Sequence, residues 1–178
     1  LSMNVTSTFH GNVVNDIEMA KAAGFTGIEL QNPKLDRYLA TGLPAESVVP
    51  MLDGIEVSAI GALQESDLET FRAEAERIAK LGALYGAPTM QMCTGPVDVQ
   101  TVKDFKAGKI AAGDPRFTGV LGLPEKDQVE KTAERVALAA DIANDHGLGL
   151  FLAPLGWAPI NRLAPAQPIM DIIKSDNV

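Results

Sequence analysis

The chain is poor in the residues that several chemistries require. It has one cysteine, Cys93, in 178 residues. No internal disulfide can form, and a cysteine-rich zinc site is excluded. A lone thiol fits a reducing compartment, so a cytoplasmic location is expected. Histidines number 2, His10 and His146. Basic residues are outnumbered, 15 Lys and Arg against 23 Asp and Glu, for a net charge of −8. Nucleic acid is therefore not an expected partner, because phosphate backbones need clustered cations. A small anionic substrate held by one local Arg or by a metal remains compatible with that balance. No apolar run is long enough to cross a bilayer, so no membrane partner is expected. The start, Leu1-Ser2-Met3-Asn4, has no signal-peptide pattern. No Gly-x-Gly-x-x-Gly follows the first apolar segment, and no Gly-Lys-Ser/Thr occurs. Dinucleotide and P-loop sites lose their support.

Hydrophobic residues make up 46% and charged residues 21%, enough for a globular domain with a real core. Short apolar runs alternate with helical patterns. Residues 3–9 read as a first strand, and 16–23 as a helix capped by Asn12 or Asn15 and stopped by Gly24. A second strand at 25–30 is followed by Asn32-Pro33, read as a break into a loop through Tyr38 and Gly42. A short helix near 45–52 is weakened by Pro50. A third strand covers 55–60. Ser66-Asp67-Leu68-Glu69 reads as a capping box, and Leu68, Phe71, Ala75, Ile78, Ala79 and Gly82 fall on one helical face. A fourth strand spans 88–93. Residues 94–124 read as a long excursion with one short helix near 99–105. A strong helix over 125–146 leads to a fifth strand at 148–152, and 165–174 is helical again. Strand–helix alternation with near-continuously apolar strands implies parallel pairing with right-handed crossovers. An open doubly wound sheet and a (β/α)₈ barrel both satisfy this pattern.

Particular segments carry a resemblance. Ala20-Lys21-Ala22-Ala23-Gly24-Phe25-Thr26-Gly27-Ile28-Glu29-Leu30 resembles the first helix and second strand of the xylose-isomerase-like TIM-barrel family. Ala79 to Ala83 before Met90-Gln91-Met92 is similar to its third-helix-to-fourth-strand junction. Leu150 to Leu155, Asn161 to Ala164 and Ile169 to Ile173 resemble its fifth strand and following helix. The resemblance implies an α/β fold, a parallel (β/α) TIM-type barrel of which residues 1–178 hold about the first five strand–helix units, as a single, incomplete domain. Full barrels take roughly 250 residues, and strands six to eight are expected to be absent from these residues. Bare edges and faces would then be covered by another chain, as in a homo-oligomer, or by the rest of a longer product.

By resemblance, the activity is that of an isomerase or epimerase on a sugar, keto-sugar or polyol, using metal-assisted proton transfer beside a carbonyl. The family's divalent metal (Mn, Mg, Co or Zn) takes a Glu at the end of strand five. Ala153 stands there, so no metal ligand is expected at that position. A degenerate, non-catalytic barrel that binds a sugar-like ligand or a partner is the alternative, and a dehydratase of the same superfamily is a further one.

The substrate-binding candidates each have a bland reading as well. His10, past strand one, is a substrate donor or metal neighbour, or a solvated loop residue. Glu29 faces the pocket or pairs with a nearby amide or Arg. Gln64, after strand three, divides the same way. Gln91 lies between Met90 and Met92, and alternation sends it to the opposite face from both, where it binds substrate hydroxyls or is a buried amide satisfied by its neighbours. Trp157 walls a sugar ring or anchors an interface. Arg162 clamps an anion or forms a surface ion pair. Cys93 is expected to be an inert filler, and His146 a favourable partner for a helix C-terminus.

Overall fold

The computed structural model describes residues 1–95, 99–111, 125–153, 155 and 163–178 of the chain. Five strands form one sheet in the order β1-β2-β3-β4-β5: Ser2–Asn4, Gly27–Gln31, Glu56–Gln64, Thr89–Cys93 and Gly149–Ala153. Every neighbouring pair is parallel. Sequential order with no reversal is the pattern of a barrel wall; a doubly wound sheet changes direction part-way.

The helices are α1 (Val13–Ala22), α2 (Asn32–Leu39), α3 (Leu68–Tyr85), α4 (Val99–Lys106), α5 (Glu125–Asp145) and α6 (Leu163–Ile173). Asn12 caps α1 by accepting from the Asn15 amide. The α3 cap is Asp67, which accepts from Thr70; the expected Ser66 instead bonds the Asp67 carbonyl. Phe71, Ala75, Ile78, Ala79 and Gly82 of α3 are buried on one face as their spacing predicts, but Leu68 at its start is 53% exposed. Ala133, Val136, Ala140 and Ala143 of α5 meet the same core. Val99–Lys106 is helical as expected; the other parts of the 94–124 excursion at 96–98 and 112–124 lie outside the described residues.

Two expectations are corrected. The first strand ends at Asn4, and Val5–Thr8 form a 3-10 turn. Asn4 accepts from the Thr6 amide, and the Ser7 and Thr8 hydroxyls bond back to the carbonyls of Asn4 and Val5. Such local side-chain bonds compete with the sheet ladder. The segment after Asn32-Pro33 is also α2 and not a loop. Proline in a first helical turn gives up an amide that has no intrahelical partner anyway.

Each strand buries one set of side chains against the helices. Met3, Ile28, Leu30, Val57, Ile60, Met90, Met92 and Leu150 form this layer. Along the outer edge of β5, the Asn177 carbonyl accepts from the Leu150 amide at 2.8 Å, and its side chain donates to the carbonyls of Ala140 and Leu148. Among the described residues no helix is long and apolar enough to cross a membrane.

Candidate functional site at the C-terminal ends of the strands

Strand alternation places the opposite set of side chains on the inner face of the sheet. Near the bottom, Ser2 and Ser58 share a hydrogen bond of 2.6 Å, and the Thr89 hydroxyl donates to the Ser58 carbonyl. Above them the Asn4 amide donates to Glu29 Oε2 at 3.0 Å. The two residues are register partners on β1 and β2. Burial holds the Glu29 carboxyl above its ordinary value, and the Asn4 bond offsets part of that rise. Glu29 thus keeps a proton more readily than a solvated glutamate.

Gln91 occupies the same face on β4. Met90 and Met92 on either side of it are fully buried, as the alternation predicts. A Cβ at Gly61 would sit 2.6 Å from Gln91 Cβ and 2.9 Å from its carbonyl oxygen. Only glycine lets β3 approach β4 this closely. Phe151 is the register partner of Gln91 and is 50% exposed, and Cys93 is the partner of Ala153. Burial, with the Glu29 charge second, pushes the Cys93 thiol up to about 11. It is a filler and not a nucleophile.

Two clefts flank this face. One, of about 440 Å³, carries His10, Gln31 and Arg37. The other, of about 300 Å³, lies above β3 and carries Gln64, Asn32 and Arg77. Arg77 there is forked between Asp36 and Glu74, both at 2.7 Å. Glu65 accepts from the Gly95 amide, and burial raises its carboxyl in spite of that bond and the Arg135 charge. The structure therefore puts Glu29 and Gln91 on one face, His10 in one flanking cleft and Gln64 in another. Trp157 and Arg162 lie outside the described residues. His146 bonds Glu76 of α3 at 3.1 Å, which lowers the Glu76 carboxyl.

Sequence reasoning missed Asn4 and Phe151. Both obey the same alternation that singled out Gln91, counted along β1 and β5. It also missed the buried pair Lys34–Asp16, at 2.6 Å. No sequence signal marks that pair while residues after 32 are read as a loop.

No family model and no curated protein matches the chain. Solved structures do. The IolI protein with a bound zinc atom is 16% identical and superposes with a TM-score of 0.76, covering 99% of this chain and 60% of its own. A xylose isomerase domain containing protein from Salmonella typhimurium LT2 is 15% identical, with a TM-score of 0.69 and coverages of 98% and 57%. The fold is that of the xylose-isomerase-like TIM barrels. The 3-keto-D-glucoside 4-epimerase YcjR from E. coli agrees, at 18% identity, a TM-score of 0.65 and coverages of 94% and 61%. The chain spans about 60% of the length of the first of these structures. The inner face described above is thus the lining of a TIM-type barrel, and its upper rim is the barrel mouth, where such folds carry their sites.

The zinc of the IolI protein raises the question of a metal here. Among the described residues no group of three or more His, Cys, Asp or Glu is placed to hold one. Ala153 offers no donor, and neighbouring Cys93 holds its proton to about 11. The described side chains do not fit a divalent ion.

Proposed function

We propose that the barrel mouth binds a small sugar-like molecule, a keto-sugar or polyol, and that Glu29 transfers a proton beside its carbonyl, as an isomerase or epimerase requires. Glu29 itself carries this reading. It is the inward carboxyl at the mouth, half-buried, held by Asn4, with its proton affinity raised toward the working range of a general acid or base. As carboxylate it takes the proton from the carbon next to the carbonyl, leaving an enediolate. Returned to the former carbonyl carbon, while the hydroxyl proton passes to the other oxygen, that proton completes an isomerisation; an epimerisation takes its new proton from water on the opposite face. Gln91 supplies an amide for substrate hydroxyls, and Phe151 a flat apolar wall. His10, Gln64, Trp157 and Arg162 are the further substrate-binding residues of this proposal. Likeness of fold to the 3-keto-D-glucoside 4-epimerase of E. coli supports the reaction class.

The test is hydrogen exchange in D₂O. A panel of keto-sugars is incubated with the protein, and loss of the proton next to the carbonyl is followed by NMR. Glu29→Gln is expected to slow exchange by roughly 100-fold or more. Exchange at the wild-type rate in that variant refutes the role of Glu29.

A second reading is favoured by Ala153: a barrel that binds its ligand without turnover. It expects saturable sugar binding with no exchange in any arm of the same panel. Ala153→Glu restores a donor at strand five and, if the position lines the family site, raises zinc affinity.

A further inference from the structure

We infer that the cleft beside the barrel mouth holds an oxyanion, the carboxylate or phosphate of a sugar-derived substrate, with Arg37 as its clamp. The inference rests on the proposal that the substrate is sugar-like, and adds that it is charged.

The charge of the cleft sets it apart. The chain as a whole is acidic, at −8, yet among the described residues no Asp or Glu lines this cleft. The other two described clefts both carry carboxylates, Asp36, Glu65 and Glu74 in one and Asp141 and Asp176 in the other. The nearest acids are committed elsewhere. Asp16 lies behind Gly11 and is bound by the Lys34 ammonium at 2.6 Å, both side chains being at most 3% exposed. Asp36 is next to Arg37 in sequence but faces Arg77 at 2.7 Å. Arg37 therefore keeps its field. Among the described residues its guanidinium makes one hydrogen bond, donated by Nη2 to the Gly11 carbonyl at 3.3 Å. That bond orients the fork toward the cleft and leaves the remaining N–H donors for a ligand. A planar fork of this kind matches the two oxygens of a carboxylate or phosphate.

The rest of the cleft suits a sugar. Phe9 is 72% exposed and stands edge-on to His10, with ring centroids 5.3 Å apart at 87°. An exposed ring beside an imidazole offers a face for C–H groups and an adjacent polar edge for hydroxyls. Gln31 ends β2, two residues past Glu29, so the cleft opens beside the barrel mouth. Its amide donates to Thr6, which turns its carbonyl oxygen into the available acceptor. The volume of about 440 Å³ lies in the range of small-molecule sites.

The experiment compares three probes of similar size: D-glucose, D-glucuronate and D-glucose 6-phosphate, titrated against the isotope-labelled chain by NMR. The two anions separate a carboxylate from a phosphate source. At least one is expected to bind ten times or more tighter than glucose, with the largest shifts at His10, Gly11 and Arg37. Arg37→Ala, an exposed change, should weaken that anion at least tenfold and leave glucose unaffected. Arg72→Ala removes the same charge from the exposed face of α3 and should change nothing. Anions that bind no better than glucose overturn the inference. So does an Arg37→Ala variant that keeps its affinity, or an Arg72→Ala variant that loses as much. Failure of the Glu29 exchange test leaves this binding result standing, and loss of anion binding leaves exchange of neutral sugars standing, so the two readings fail separately.

Discussion

Replacing Lys34 by Met tests what holds the loop that carries His10. The Lys34 ammonium meets Asp16 Oδ2 at 2.6 Å and also donates to the Val5 and Thr8 carbonyls at 2.9 and 2.7 Å and to the Thr8 hydroxyl at 3.1 Å. It thereby ties the 3-10 turn after β1 to α1 and α2. Methionine keeps most of the length and apolar stem but removes every donor. Asp16 is then a buried carboxylate with no counter-charge; its other oxygen, Oδ1, already lacks a partner among the described residues. Gly11 closes over it, since a Cβ there would lie 2.6 Å from that oxygen. Breaking one side of a buried pair typically costs about 3–5 kcal/mol, because the desolvated charge is left uncompensated. In a chain of this size each kcal/mol lowers Tm by about 2–4 °C, so a fall of roughly 6–20 °C is expected. The mechanism makes a second demand. Asp16→Asn in the Lys34→Met background removes the orphaned charge and should recover at least about 1.5 kcal/mol, whereas Asp16→Asn alone should destabilise. Urea unfolding followed by circular dichroism measures all four corners of the cycle. A Lys34→Met loss below about 1 kcal/mol, or a strictly additive double variant, refutes the argument that an unpaired buried charge dominates.

Four further predictions concern the inner face and its supports. Asn4→Ala removes the bond that offsets burial at Glu29, so the Glu29 carboxyl, already above 4.5, should move higher still in a ¹³C NMR titration; a downward move contradicts the assigned cause. Because Glu29 holds its proton more tightly folded than unfolded, its contribution to stability is fully present below 4.5 and is lost as pH rises through the folded value. Glu29→Gln should flatten that part of the stability–pH curve. Cys93, at about 11 against the usual 9.0, should carry roughly 100-fold less thiolate at pH 8 and react correspondingly slowly with iodoacetamide until the chain unfolds; labelling at the rate of glutathione would contradict its burial. Gly82→Ala would place a Cβ 2.5 Å from Leu148 and 2.9 Å from Ile60, overpacking α3 against the sheet at a cost of about 1–3 kcal/mol, read from the urea midpoint.

The alternation of apolar runs with helical patterns was enough to place all five strands and to predict their parallel pairing. It worked because each strand must bury one face under the crossover helices, as Ile28 and Leu30 or Met90 and Met92 do. It failed where local bonding outweighed pattern. Asn4 turned the chain out of β1 two residues into the expected run, and Pro33 opened a helix where a break was read. At the site, Gln91 was legible because one polar residue between two methionines must face away from them. Its relation to Phe151 and Gly61 was not, because those contacts depend on the register of β4 with its neighbours.

Composition and pattern by themselves determined that this chain is an acidic α/β protein without internal disulfides and with parallel strands. These are properties of residue identity and spacing, which no folding is needed to reveal. Only the tertiary structure decided that Asn4 bonds Glu29, that Lys34 neutralises Asp16 out of water, and that Arg37 lines a cleft with no carboxylate among its described residues. Each of those joins residues from different strand–helix units, and proton affinity and local field are set by such neighbours and by burial, neither of which is written in the order of the chain.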